Sequence, residues 1–338
     1  MSEKSCWLRV TIKTGFSPKD RFVLFDSSGF SRKVGVRVPA TEVDEKRSMV
    51  RVMLVEMATS QCTVTLPDHG GTYKVARDLV VVSASLRCVT VTGADDSVDP
   101  DKLLDLAEKY SLAEFGILVG NNSSVKRFPS FSWICSLQDA IERRKVVPRL
   151  SCHLCGHWAA EFLTSIRAMI PFGDKLPWGR VQINTHGEAH PVVLSHLCRT
   201  LASIEGASED KLEVIFQRDG QNDQIFDYLN SLKVNGDRRY NVSALFDVSH
   251  GAGILPTEWP PIIPGASCGY AGGLSPDNVA SELDKIALAA GDDPFWIDAE
   301  TRLRSEDADT FDLVKVEQFL AGATARDQLR QLNSFPVE

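Results

Sequence analysis

Several polar residues of this chain stand where polarity is costly. Asp247 closes the apolar run VSALFD (242–247), where a carboxylate needs a hydrogen-bonding partner or a use. A carboxylate in such surroundings suits general acid–base chemistry on a small polar metabolite. His250 follows in HGAGILPT beside Gly251 and Gly253, His186 follows the apolar run VQIN, and Thr92 ends LRCVTVT. Gly272 and Gly273 end ASCGYAGG, and SPDN then reads as a helix start. Glycines let backbone N–H groups approach an anion, and a helix N-terminus favours negative charge. Arg127 in VKRFP and Arg302 and Arg304 in ETRLRS are cations that such an anion could meet. These residue types describe proton transfer on a small anionic molecule.

A second constellation, CHLCGH (152–157), places four potential metal ligands within six residues. Strand alternation turns Cys152 away from His153 and Cys155. A structural zinc site also normally takes two ligands from a second segment, and no second pair at that spacing exists. Cys152 is therefore expected in the core, with His153 or Cys155 facing a site, and no metal is assigned. A catalytic metal on His153, His157 and either His186 or Asp247 is the weaker alternative. His190 precedes Pro191 and reads as a cap, Gln217-Arg218-Asp219 could touch a polar substrate, and Trp133, Trp158 and Trp178 read as packing.

The elements that must position these residues fall into two unlike halves. Residues 1–85 read as strands only, WLRVTI, DRFVLFD, KVGVRVP, SMVRVMLVEM, CTVTLP and YKVARDLVVV, separated by turn residues. They predict a small β-sandwich or barrel domain. From residue 86, eight apolar runs alternate with helical stretches: LRCVTVTG, EFGILVG, RLSCHLC, RVQINTHG, LEVIFQRDG, VSALFDVSHG, ASCGYAGG and FWIDAE. GHWAAEFLTSIRAMI and a short TEWPPII are among the expected helices. Eight such units are the arithmetic of a (β/α)8 TIM barrel over 86–322, followed by a tail over 323–338. An open doubly wound sheet is the alternative, and no GxGxxG follows the first strand. In a barrel the site lies at the C-terminal strand ends. That rule gathers Thr92, Arg127, His153, Cys155, His157, Asn184, His186, Gln217, Arg218, Asp219, Asp247, His250, Gly272, Gly273, Asp298 and Glu300.

Composition limits the partners. The 338 residues carry 37 Lys+Arg against 45 Asp+Glu, a formal net charge of −8, which argues against nucleic acid as the main partner. No apolar run reaches the ~20 residues of a membrane span, and MSEKSCWLRV lacks the apolar core of a secretory signal. A cytoplasmic location is expected, in which eight scattered cysteines read as free thiols.

The second half also resembles a known family, the phosphoribosylanthranilate isomerases. CGYAGGLSPDNVASEL (268–283) is similar to that family's seventh strand and following helix, VQINTHGEAHP (181–191) to its fourth strand with His-Gly-Glu, and ALFDVSHGAGILPTEW (244–259) to its sixth. The order and spacing agree over about 86–322, and the N-terminal part lies outside the resemblance. The resemblance implies an Amadori rearrangement of an aminoaldose phosphate without metal or organic cofactor. It implies Asp247 as general acid, Arg127 on a substrate carboxylate, His186 at the fourth strand, and backbone around Gly251, Gly253, Gly272 and Gly273 on the phosphate. Two positions depart from the pattern. Thr92 stands where the family has its cysteine base, and a threonine hydroxyl cannot replace a thiolate at neutral pH. Cys88 lies four residues upstream, ~13 Å along a strand. Glu300 stands where a small neutral residue is expected, and Arg302 or Arg304 could pair it or take the phosphate.

Two functions follow. One is a divergent isomerase or lyase acting on a small sugar phosphate or related anion through Asp247, with Thr92 and His186 at the site and ordinary isomerase activity absent. The other is a non-catalytic ligand-binding or assembly protein on the same barrel, its N-terminal β domain offering a surface to a second copy or another protein.

Overall fold

A computed structural model describes residues 4–334 except 15–16, 29–32, 46–48, 58–60, 69, 77–78, 82–83, 121–125, 166–169, 174, 185–191, 193, 204–211, 219, 221–222, 238–239 and 248–251. It divides into two compact units, one of residues 1–85, 283–294 and 325–338, the other of 86–282 and 295–324.

In the first unit the described residues of the N-terminal 85 form nine strands: β1 Lys4–Arg9, β2 Thr11–Thr14, β3 Asp20–Phe25, β4 Val34–Pro39, β5 Val43–Asp44, β6 Met49–Met57, β7 Gln61–Thr65, β8 Thr72–Ala76 and β9 Val80–Val81. They make two antiparallel sheets, one ordered β8-β7-β6-β1-β9 with β5 on β6, the other β2-β3-β4. WLRVTI, expected as one strand, changes sheet at Val10, and YKVARDLVVV likewise divides into β8 and β9. Buried Leu8, Val23, Phe25, Val50, Val64 and Val75 form the core, and Phe25 meets Tyr73 edge-on at 5.2 Å.

The second unit contains the closed parallel barrel: β10 Leu86–Thr92, β11 Ala113–Val119, β12 Arg149–Cys155, β13 Trp178–Asn184, β14 Glu213–Gln217, β15 Val242–Phe246, β16 Ser267–Ala271 and β17 Phe295–Ala299, paired in that order with β17 returning to β10. The chain folds as a TIM barrel. The intervening helices are α1 Pro100–Lys109, α2 Phe131–Arg144, α3 His157–Thr164, α4 Leu194–Ser203, α5 Asp223–Val234, α6 Val279–Ala290 and α7 Leu313–Ser334. Local chemistry starts them. Asp99 accepts from Asp101 N–H ahead of Pro100 on α1, and Ser130 accepts from Trp133 N–H on α2.

Two helix expectations are corrected. TEWPPII is not helical, and residues 252–266 hold turns and irregular chain instead. Pro256, Pro260, Pro261 and Pro264 remove donors and bar the residue before each from helical geometry. The helix from His157 stops at Thr164, with Ser165 already extended. At the other end α7 continues to Ser334, past the point where a tail was expected. No described helix is long and apolar enough to cross a membrane.

Candidate active site at the barrel mouth

Period-two alternation on eight strands puts every second side chain inside the barrel. Toward the N-terminal ends these are Arg180, Glu114 and Glu213. Arg180 contacts Glu114 at 3.4 Å and Glu213 at 3.9 Å, bonds Cys88 Sγ at 3.0 Å, and stacks 4.2 Å above the Trp296 ring. Thr90 donates to Glu114 at 2.8 Å, while Arg87 and Ser243 bond Glu213. Burial alone would lower the Arg180 pKa, but its neighbours, Glu114 first, hold it above the ordinary value. Burial works to raise Glu213, and Arg180 and Arg87 outweigh it. Trp296 fits because a Cβ on Gly269 would lie 2.1 Å from its ring.

Two residues past Glu213, Ile215 joins an apolar cluster with Leu245 and Trp296, while β13 carries the buried Gln182 at that step. Two further on, the interior is polar again. Thr92, His153, Asn184, Gln217, Asp247 and Asp298 are all buried there. All but Thr92 line a recess of about 50 Å³, and Gly272, Gly273, Glu300 and Arg302 share its wall. Thr92 Oγ1 donates to Asp298 Oδ1 at 2.7 Å. Burial, with Glu300, Glu114 and Asp247 adding repulsion, pushes Asp298 up to about 8 against the Thr92 bond. Asp298 is therefore largely protonated at neutral pH. Gln182 donates to Asn184 at 2.7 Å, and Asn184 to Cys155 Sγ at 3.5 Å.

The expected site residues separate into three groups. Thr92, Asp247, Gly253, Gly272, Gly273 and Arg302 belong to the mouth. Gly253, Gly272, Gly273, Asp247 and Arg302 line the recess, and Thr92 reaches it through Asp298. His186 and Gly251 lie outside the described residues, as do His190, Asp219 and His250. Arg127 is present but engaged, its guanidinium bonding Glu300 at 2.8 Å and Asp309 at 3.3 Å. It is Arg127, not Arg302 or Arg304, that pairs Glu300. Arg304 is buried, bonding Asp95 at 2.7 Å and Gly93 O at 2.7 Å, and so is not available to a ligand. Arg302 is exposed, with no ion-pair partner among the described residues.

The glycines have their own structural work. Gly272 and Gly273 adopt φ of 109° and 65°, and a Cβ on Gly273 would lie 2.4 Å from Leu255 N. What approaches these glycines most closely is the loop after β15. SPDN is likewise organised internally, with Ser275 N–H donating to Asn278 Oδ1 at 2.8 Å and Asn278 Nδ2 to Gly273 O at 2.9 Å. Beside it a cleft of about 720 Å³ opens between the ends of β16 and β17, lined by Ser275, Asn278, Arg302 and Lys315. Gly253, Gly273, Thr301 and Arg302 border both cavities.

The cysteine–histidine cluster does not converge. Cys152 is fully buried, His153 faces the recess, and His157 is 64% exposed beside Glu161. Among the described residues no group of three or more His, Cys, Asp or Glu is placed to hold a metal. Burial pushes Cys155 up to about 12 and Cys88 to about 11, so neither thiol supplies a thiolate at neutral pH. The acid Asp298 was one strand-end candidate among many in the sequence. Its signal was the alternation WID in FWIDAE, which puts a carboxylate on the same inward face as Trp296.

No protein-family description and no curated protein matches this chain. Among solved structures it is similar to the N-(5'-phosphoribosyl)anthranilate isomerase of Pyrococcus furiosus, at 18% identity over 70% of this chain and 98% of that one, with a TM-score of 0.39. It is also similar to the phospho-2-dehydro-3-deoxyheptonate aldolase of Thermotoga maritima, at 10% identity over 99% and 100% of the two chains, with a TM-score of 0.44. A spore coat polysaccharide biosynthesis protein of Bacillus subtilis follows at 11% identity over 77% and 73%, with a TM-score of 0.43.

Proposed function

We propose that this chain is a small-molecule acid–base enzyme, a divergent isomerase or lyase acting on a small sugar phosphate or related anionic metabolite. The observation that carries the reading is the pair of buried carboxylates in one recess, of which Asp298 is held protonated by its surroundings. A carboxyl that keeps its proton can serve as an acid, and a second carboxylate lining the same recess is placed to accept one. Asp247 is the proposed base and Asp298 the proposed acid. The charged end of the ligand would lie in the cleft beside Arg302, at the start of α6. Thr92 then serves to orient Asp298 and not as a base, so ordinary phosphoribosylanthranilate isomerase activity is expected to be absent. An isomerase-deficient tryptophan auxotroph rescued by the unaltered gene would overturn that expectation.

The direct test is solvent hydrogen exchange. Proton transfer at carbon incorporates deuterium from D2O into a sugar phosphate even when net turnover is slow. The parent should exchange and Asp247→Asn should lose at least ~10²-fold of it. Arg302→Ala should weaken inorganic phosphate binding. No exchange with any aldose or ketose phosphate, together with intact phosphate binding, would favour a non-catalytic binding protein, a reading that the engagement of Arg127 by Glu300 supports.

A further inference from the structure

The recess contains a side chain that this acid–base reading leaves unused. His153 is 1% exposed and faces the cavity, yet neither ring nitrogen has a hydrogen-bond partner. Gln217 Oε1, lining the same cavity, is also without one. Buried polar atoms in native proteins are almost always satisfied, so two orphans around one recess point to an absent occupant. The fold makes room for this imidazole: a Cβ on Gly116 would lie 2.9 Å from His153 Nε2 and 2.2 Å from Thr92 Oγ1. His153 is also uncharged. Burial, helped by the Arg180 charge, pushes it down to about 3.

The chemistry of the missing group follows from the inventory. A neutral imidazole presents one N–H donor and one bare nitrogen acceptor, and an amide oxygen accepts. The two acceptors call for two O–H donors, and the imidazole N–H calls for one oxygen acceptor. The occupant need bring no charge, since the imidazole carries none to pair with it. The recess, about 50 Å³, exceeds the ~10–15 Å³ that one water requires. It therefore admits one or two functional groups and not a whole metabolite.

We propose that the recess is a subsite for the uncharged end of the ligand, a vicinal diol pair, bound by His153 and Gln217. The inference rests on the acid–base reading and deepens it, for it places the reacting oxygens against Asp298 and Asp247. The phosphate end remains in the Arg302 cleft.

The test compares inorganic phosphate with ribose 5-phosphate on the parent, His153→Leu and His153→Gln, with unfolding curves confirming that each variant folds. Phosphate affinity should stay within twofold in all three. Ribose 5-phosphate should bind the parent at least tenfold more tightly than phosphate does, lose that advantage in His153→Leu, and regain part of it in His153→Gln. In ¹⁵N spectra the His153 nitrogens should move on adding ribose 5-phosphate and stay still on adding phosphate. Equal affinity for the two ligands in the parent, an unaffected His153→Leu, or His153 nitrogens held by an ordered water that ribose 5-phosphate does not displace would each overturn the subsite. Phosphate binding that survives those outcomes would leave the anion cleft of the acid–base reading standing. Loss of phosphate binding from the parent would remove both.

Discussion

The barrel interior carries polar groups at two depths, and the two are treated differently. Around Arg180 every carboxylate is answered. Glu114 has Arg180 and Thr90, and Glu213 has Arg180, Arg87 and Ser243. Two steps closer to the mouth, His153 and Gln217 Oε1 have no partners, and Asp298 avoids an unpaired charge by keeping its proton. Both depths are buried. The difference is that the carboxylates of the lower one are answered within the chain, while His153 and Gln217 of the upper one line an open recess. Polarity by itself does not mark a site, whereas unsatisfied polar groups converging on one cavity do.

The largest way to break this comparison is Arg180→Met. It leaves Glu114 buried without a cation and Glu213 with Arg87 alone, and should cost roughly 3–5 kcal/mol in denaturant unfolding. A cost below about 1 kcal/mol would mean that the lower network is as open to solvent as a surface pair. Next comes pH. The folded chain keeps a proton on Asp298 up to about 8, and the unfolded chain releases it near 3.8. The native state binds more protons between those values, so stability falls as pH rises from about 4 through 8 and levels above. Asp298→Asn should flatten that slope, a difference on the order of a few kcal/mol across the window. Parallel slopes in parent and variant would assign Asp298 an ordinary ionised state.

Smaller effects sharpen the contrast. Thr92→Val removes the one bond that favours ionised Asp298, so the carboxyl band in infrared titration should move to higher pH, with a stability loss of about 1 kcal/mol. Smallest of all should be His153→Leu. Deleting a buried group without partners leaves no other group unsatisfied, so unfolding free energy should change by less than about 1 kcal/mol in either direction. A loss comparable with that of Arg180→Met would place His153 among the structural groups of the lower network.

Much of this was legible before any coordinates. The strand-only opening and the eight alternations from LRCVTVTG to FWIDAE correspond to observed strands, because apolar period and turn residues act locally. Alternation also oriented Cys152 away from His153 and Cys155. Illegible were the partners. Arg127 read as a free cation for a ligand, and its carboxylates Glu300 and Asp309 come from a loop more than 170 positions away. The two strand-seven glycines read as an anion cradle, and the chain's own Leu255 presses on Gly273. TEWPPII read as helix from its apolar spacing, against the veto of its prolines.

What the sequence determined by itself was the set of inward faces and the mouth at which they end, since both follow from a two-residue period repeated eight times. What only the tertiary structure decided was which polar groups on those faces are satisfied. Thr92 and Asp298 are 206 positions apart and meet only because β17 closes on β10. The proton on Asp298 and the bare nitrogens of His153 exist only once that closure removes water, because burial is a property of the assembled barrel and of no segment in it.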